Sequence, residues 1–199
     1  MTILGLLAGA LLSAGCAPAD VAEALPTAAT ATGVEAEGDG WSAAAATLRF
    51  GAGIAEATEP AILRTTDGRP PLEILADRSD WDLRARAATF TGHVQVRRGE
   101  VTLRCEALDV RYAGAERIDR IVATGNVEVR RGERVATAAS AELDGASGRI
   151  TLTGAPQLSE GPNTLVGTTL VLWLDDERAT CEGADGAPCR LVVAGSALR

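Results

Sequence analysis

The stretch TGHVQVRRGE (residues 91–100) returns 33 residues later as TGNVEVRRGE (124–133), and only His93/Asn126 and Gln95/Glu128 differ. A looser copy, TGAPQLSEGP (153–162), follows after a further 29 residues. Gly92, Gly125 and Gly154 each follow a Thr, and Gly99, Gly132 and Gly161 come seven positions on. The offsets hold beyond these ten residues. Leu103, Ala136 and Leu165 correspond, as do Leu108, Ala141 and Leu170, and Val110, Leu143 and Leu172. A partial copy with Ile74, Ala76 and Trp81 precedes the first, and Gly183 opens a truncated one. A period of this size marks a supersecondary unit that cannot bury its apolar face alone and must stack on its neighbours.

The unit is built of strands. HVQVR, VTLRCE, NVEVR and RITLTG alternate apolar and polar residues with period two, and Gly or Asp signals separate them. No helical period of useful length occurs after residue 70, so the chain is read as all-β there. One irregularity recurs. In VTLRCEALDVRY, Glu106 and Ala107 stand between Cys105 and Leu108 where strict alternation allows one residue, and LVGTTLVL slips in the same way. A β-bulge at this point bends the strand and keeps its apolar face inward. Bent strands in common register roll into a sandwich or barrel. The array would expose strand edges near residues 72–75 and 191–193, where another chain could add a strand.

Composition narrows the function. The 199 residues carry 19 basic groups, all Arg, against 27 acidic ones, a net charge of −8. An acidic chain with 3% aromatic residues has neither the basic face nor the stacking platforms that nucleic-acid binding needs. One His, His93, leaves no room for a His-rich metal site, and its place opposite Asn126 in the repeat marks it as a turn residue. No carboxylate pair recurs at an apolar site, so no catalytic residue, metal or cofactor is assigned. Cys105 is in phase with Val101 and Leu103 and is read as a small buried apolar residue. Cys181 and Cys189 bracket the turn-forming EGADGAP and form a candidate disulfide if the chain is exported.

Export is expected. MTILGLLAGALLSAGC has an apolar run too short to span a bilayer, then small residues, then Cys16. LSAGC resembles a bacterial lipobox, which would make residues 1–16 a lipoprotein signal and Cys16 the lipidation site. Acyl chains on that residue would anchor the protein to a membrane. Ala17 after the Cys, with no Asp, resembles outer-membrane sorting. Residues 17–70 are rich in Ala, Thr, Gly and Pro and carry eight acidic groups against three Arg. They read as a flexible, disordered tether, with a coil span of about 40 Å. Residues 71–195 form the repeat domain.

That domain resembles the LptA/OstA-like family of lipopolysaccharide-transport proteins. The resemblance rests on PLEILADRSDWDLRARAATFTGHVQVRRGEVTLRCEALDVRY. It has an I-x-A/S-D strand, then a-T-F-T-G-x-V-x-V-x-x-G, then the alternation and the bulge, and ATGNVEVRRGE and ITLTGAPQLSEGPNTLVGTTLVL continue it. It implies an incomplete twisted β-jellyroll, two V-shaped sheets around an apolar groove. It also implies a periplasmic location and lipopolysaccharide as cargo, with its acyl chains in the groove. The partners would be related β-jellyroll components of the inner and outer membranes, joined edge to edge, with head-to-tail self-association as a variant of the same contact. The groove lining would be Phe90, Val94, Val96, Leu103, Leu108, Val127, Val129, Leu143, Ile150, Leu152, Leu165, Leu170 and Leu172. Arg97, Arg98, Arg130, Arg131 and Arg134, at equivalent turns, are candidate contacts for lipid A phosphates, since guanidinium suits phosphate geometry. The rival reading is an outer-membrane-assembly lipoprotein that binds partners through its edges and carries no lipid.

Overall fold

The computed structural model describes residues 28–38, 41–51, 54–65, 71–82, 84–113, 117–173, 178–184 and 187–193. Among them every regular element is a strand. These are β1 (Ala28–Gly38), β2 (Trp41–Gly51), β3 (Ile54–Thr65), β4 (Leu72–Asp82), β5 (Ala87–Arg98), β6 (Val101–Ala113) and β7 (Arg117–Arg131). Then come β8 (Arg134–Asp144), β9 (Arg149–Thr153), β10 (Gln157–Glu160), β11 (Asn163–Val166), β12 (Thr169–Trp173), β13 (Ala179–Glu182) and β14 (Arg190–Val192). The sheet is an antiparallel meander from β1 to β8, and there it forks. Residues 134–137 of β8 pair with β10, whereas residues 140–144 pair with β9. One branch continues β10-β11-β14 and the other β9-β12-β13.

The Thr-Gly pairs of the repeat cause the fork. Gly92 and His93 on β5 stand opposite the single residue Glu106 of β6, and Gly125 and Asn126 on β7 stand opposite Ala139 of β8. Two residues against one is a bulge. Its backbone is the same each time: φ is 78° and 44° at Gly92 and His93, 78° and 47° at Gly125 and Asn126, and 78° and 56° at Gly154 and Ala155. Glycine enters this left-handed region freely, and Asn or His tolerates it better than a bulky residue does. A side chain from the preceding strand then pins the second residue. Asn126 Nδ2 donates to Glu106 Oε1 at 2.6 Å, and His93 Nδ1 pairs with Asp77 Oδ2 at 2.8 Å. The inserted residues thus belong to β5 and β7. The slip seen in VTLRCEALDVRY is the facing half of each bend, and not the bulge itself.

Each bend divides a strand between two arms. The first arm takes residues 94–98, 101–105, 127–131 and 134–138 with β10, β11 and β14. The second takes residues 87–91, 107–111, 120–124 and 140–144 with β9, β12 and β13. Val94, Cys105, Val127 and Ala136 of the first arm share one buried cluster with Phe90, Leu108, Leu152 and Leu170 of the second. The arms therefore close on each other as a V, the incomplete jellyroll that the family resemblance implies. Each such large side chain, fully buried, contributes about 1.5–3 kcal/mol. Trp81 meets Phe90 edge to face at 5.6 Å and stacks on Tyr112 at 6.3 Å, and both pack against this core. The arm-two hairpins are tied by Asx turns. Asp82 Oδ1 accepts from the Arg84 and Ala85 N–H groups, and Asp144 Oδ1 from those of Ala146 and Ser147.

Residues 28–65 correct the expectation of a continuous flexible tether. They form β1–β3, paired in register with β4, and Thr58/Ala61 and Ala44/Thr47 carry the same kind of register shift as the repeat. Arg64 and Arg78 clasp Glu73 and Glu56 across β3 and β4, both at 2.8 Å. The reason these strands are hard to read is volume. Their buried residues include Ala57 and Ala61, which give almost no hydropathy contrast against Thr. It follows that residues 72–75 are not an edge, since β3 covers them. Among the described residues the margins are β1 at one end and β13 and β14 at the other. The signal, Cys16, and residues 17–27 and 66–70 of the expected tether lie outside the described residues.

Cys181 of β13 and Cys189, which precedes β14, are joined in a disulfide with Cα atoms 6.2 Å apart. Since β13 and β14 belong to different arms, the bond staples the V at its C-terminal end. Cys105 is a buried free thiol that burial pushes up to about 11.

Gly125→Ala should be the costly glycine change. Its Cβ would lie 2.7 Å from Cβ of Glu106 at φ 78°, so a loss of about 1–3 kcal/mol is expected. Gly132, at φ 57° with nothing within 4 Å of a Cβ, should cost less as Ala. Urea melts of both variants check the order, and equal midpoints would refute a packed bend. Replacing Cys181 and Cys189 by Ser should cost about 2–3 kcal/mol. It should also speed amide exchange at Leu191 and Val192 before any other strand; uniform exchange would contradict the staple.

Candidate functional site

The interior between the arms is graded. Phe90, Val94, Leu108, Val127, Leu152 and Leu170 are sealed at 0–1% exposure, and Val129 and Ile150 are buried at 7% and 6%. Val96, Leu103, Leu143, Leu165 and Leu172 are half-buried and packed against that cluster. The residues flanking the bends are the sealed ones. The half-open five stand nearer the strand ends or on the outer strands.

Where the arms end, a cleft of about 150 Å³ lies between them. Val101, Val129, Ala136 and Leu158 line it from the first arm, and Ile150, Leu172, Trp173 and Ala179 from the second. Four charged residues complete the lining: Arg131, Arg134, Glu160 and Arg178. Arg134 Nε meets Glu160 Oε1 at 2.9 Å, where the two residues are register partners across β8 and β10. The Arg178 guanidinium lies 4.0 Å over the Trp173 ring, a cation–π contact on the opposite arm.

Strand alternation sorts the five expected arginines. Arg131 continues the inward row of Val127 and Val129 and is half-buried, and Arg98 does the same after Val94 and Val96. Arg97 and Arg130 alternate outward and are exposed, with Arg130 3.3 Å from Glu128. Arg131 and Arg134 therefore line the cleft, Arg98 sits one hairpin earlier in the same row, and Arg97 and Arg130 are not brought to it. Sequence reasoning missed Leu158, Glu160, Trp173 and Arg178. A signal for the last was present: RID, RIT and RAT at Arg117, Arg149 and Arg178 put an Arg at the start of every other arm-two strand, β7, β9 and β13. His93 has a side chain 92% exposed at the outside of a bend, where it pairs with Asp77. Among the described residues no group of three or more His, Cys, Asp or Glu is placed to hold a metal ion.

What the arrangement offers is an apolar interior between two arms, with a cleft at their ends whose described lining includes Arg131, Arg134, Arg178 and Glu160. It can take up a small apolar group beside charged side chains. The solved structure of LptH, the LptA-homologous periplasmic component of the lipopolysaccharide transport device of Pseudomonas aeruginosa, superposes with a TM-score of 0.57. It is 15% identical and matches over 63% of this chain and 96% of its own, so it bears on the fold alone. No sequence match is found among curated proteins. The family model for the LptA/LptD N-terminal domain of lipopolysaccharide-transport proteins matches residues 73–178, from β4 to the Arg178 rim. Over more than half its length, and with the bent-strand architecture to go with it, the chain belongs to the LptA/LptD N-terminal domain family of lipopolysaccharide-transport proteins.

Proposed function

We propose that this protein carries lipopolysaccharide as one module of an edge-to-edge β-jellyroll bridge across the periplasm, and that it acts as a carrier and not as an enzyme. The observation that carries the reading is the cleft at the ends of the arms, apolar inside and arginine-rimmed, with half-buried Leu172 in its lining and Val96, Leu103, Leu143 and Leu165 half-buried against the same core. Lipid A divides in the same way, into acyl chains and phosphates. Each methylene withdrawn from water contributes about 0.8 kcal/mol. A volume near 150 Å³ suits one benzene-sized apolar group. Several acyl chains therefore require the arms to part, and the half-open residues are where they can.

Assembly would use the margins. Leu191 and Val192 on β14 are 63% and 52% exposed, and Val193 just after it 62%; among the described residues this three-residue strand pairs with β11 alone. An apolar edge of that kind templates another strand, either from a related jellyroll or from a second copy of this chain. The disulfide suits an oxidising compartment such as the periplasm. Cys16, once lipidated, would hold the module at a membrane, with the outer membrane as the expected site. The alternative, an assembly lipoprotein without cargo, draws on the eight buried positions of the interior, six of them sealed, which read equally as a packed core.

Site-specific photo-crosslinking in cells separates the two. Probes at Val96 and Leu143 should capture lipopolysaccharide, a probe at the outward Arg97 should not, and one at Leu191 should capture a β-jellyroll protein. A folded protein that yields no lipid adduct at either interior position, and whose interior excludes an apolar dye, refutes the carrier reading. Metabolic labelling with palmitate tests the anchor: label on the wild type and none on Cys16→Ser is expected, and an unlabelled wild type removes it.

A further inference from the structure

We propose that β1–β3 are a built-in cap. They occupy the sheet edge at which β4 would otherwise accept another jellyroll, so the module docks through its β14 margin alone and stands at an end of a bridge. This rests on the bridge reading above and refines it.

The first observation is that the edge is filled by the chain itself. The family match begins at residue 73, in β4, and β1–β3 lie ahead of it. β3 pairs with β4 at nine register positions, from Ile54 opposite Asp82 to Arg64 opposite Glu73, so β4 has a neighbour on each side and no run of it is left for a second chain. The join is fitted to the core. Leu63 of β3 belongs to the same buried cluster as Ile74 and Ala76 of β4, and Ala61 beside them is 3% exposed. A strand supplied within the chain also has the advantage of effective concentration over one brought by a partner.

The second observation is that the margin which replaces β4 is a poor template. β1 reads AATATGVEAEG, with four Ala, two Thr and two Gly, which offer little cross-strand surface. Thr32 and Glu35 are exposed, and Val34 is half-buried. Gly33, at φ 61°, drops out of the ladder between Thr32 and Val34. A charge and an irregularity on an edge are means by which sheets refuse an added strand.

The third observation is where apolar surface remains. Among the described residues the exposed large hydrophobics are Leu191, Val192 and Val193, all at the opposite margin. A head-to-tail contact grows into an open array only when the two ends are complementary. Here one end offers three apolar side chains and the other offers Thr and Glu. The occupant of β14 is therefore the edge strand of a related jellyroll that carries apolar residues of its own, and not β1 of a second copy.

The test places photo-crosslinking probes in the full chain, in cells, at Leu191, Thr32 and Leu75. Leu191 should capture a β-jellyroll protein, and Thr32 on β1 and Leu75 on β4 should capture none. By light scattering, the purified wild type should form no species beyond a dimer as its concentration rises. Ala61→Asp puts a charge into the β3–β4 join and should uncover β4. Leu75 then gains an intermolecular adduct and longer oligomers appear, with capture at Leu191 retained as the control for folding. Capture at Thr32 or Leu75 in the wild type, or open-ended wild-type arrays, overturns the cap and leaves the bridge, whether or not the variant folds. An Ala61→Asp protein that keeps Leu191 capture and gains neither the Leu75 adduct nor the oligomers also overturns the cap. A wild type that captures no jellyroll at Leu191 overturns the bridge reading and this inference with it.

Discussion

Two consecutive residues in the left-handed region, set against a single residue on the neighbouring strand, govern this molecule. Without them β5 to β8 would form one flat two-faced sheet, with apolar residues on a face that nothing covers. With them each strand turns its second half back over its first, and the sheet supplies its own cover. The step needs glycine first, because a Cβ there would run into the facing strand: Asp77 at Gly92, Glu106 at Gly125, Ala139 at Gly154. It needs a short or polar residue second, and His93 and Asn126 are tied to those same acids. The third copy uses Ala155 followed by buried Pro156, which has no N–H to give to a ladder. There the continuous bent strand breaks into β9 and β10 and the sheet forks. Fold, interior and margins all descend from the conformation of one dipeptide.

A V made in this way is packed most tightly beside its bends and less tightly towards its strand ends. Side chains next to the bends touch both arms and are sealed, so opening there would break the core. Side chains towards the strand ends face the other arm across a widening gap, and the cleft is the part that stays unfilled. The disulfide adds one constraint, at the C-terminal end, where the strands are three to five residues long and strand pairing alone is weakest. The gradient matters for a carrier. Cargo that must enter and leave sideways needs an interior that yields along one side without the fold being lost.

Much of this is legible in the chain. The duplicated TG-x-V-x-V-x-R-G states the repeat length and the strand class, because glycine spacing and period-two alternation report backbone geometry directly. All thirteen residues assigned inward from that phase are buried or pack against the core. What is lost is whatever small side chains encode. Strands β1–β3 satisfy the same register rules with Ala and Thr, whose burial leaves little mark on hydropathy, and so they resemble a linker. The bulge is seen on the wrong strand because alternation shows that a phase slips and not which partner holds the extra residue. The rim of the cleft is partly missed because Glu160, Trp173 and Arg178 meet only once two arms have folded together. Proximity of that kind has no local signature.

On the carrier reading, a protein of net charge −8 receives an anionic lipid, and its overall charge opposes its cargo. Distance limits the conflict. At physiological ionic strength the screening length is about 8 Å, so charges on β1–β4 act only weakly at the far end of the sheet. What a headgroup would meet is the local lining, and the cleft sets Arg131, Arg134 and Arg178 beside Glu160 between apolar walls. A ligand that offers a polar head and an acyl chain together would then be held at both ends. Affinity would depend on two weak, separable contacts, apolar and ionic, and a neighbour that offers both could take the cargo by relieving them one at a time.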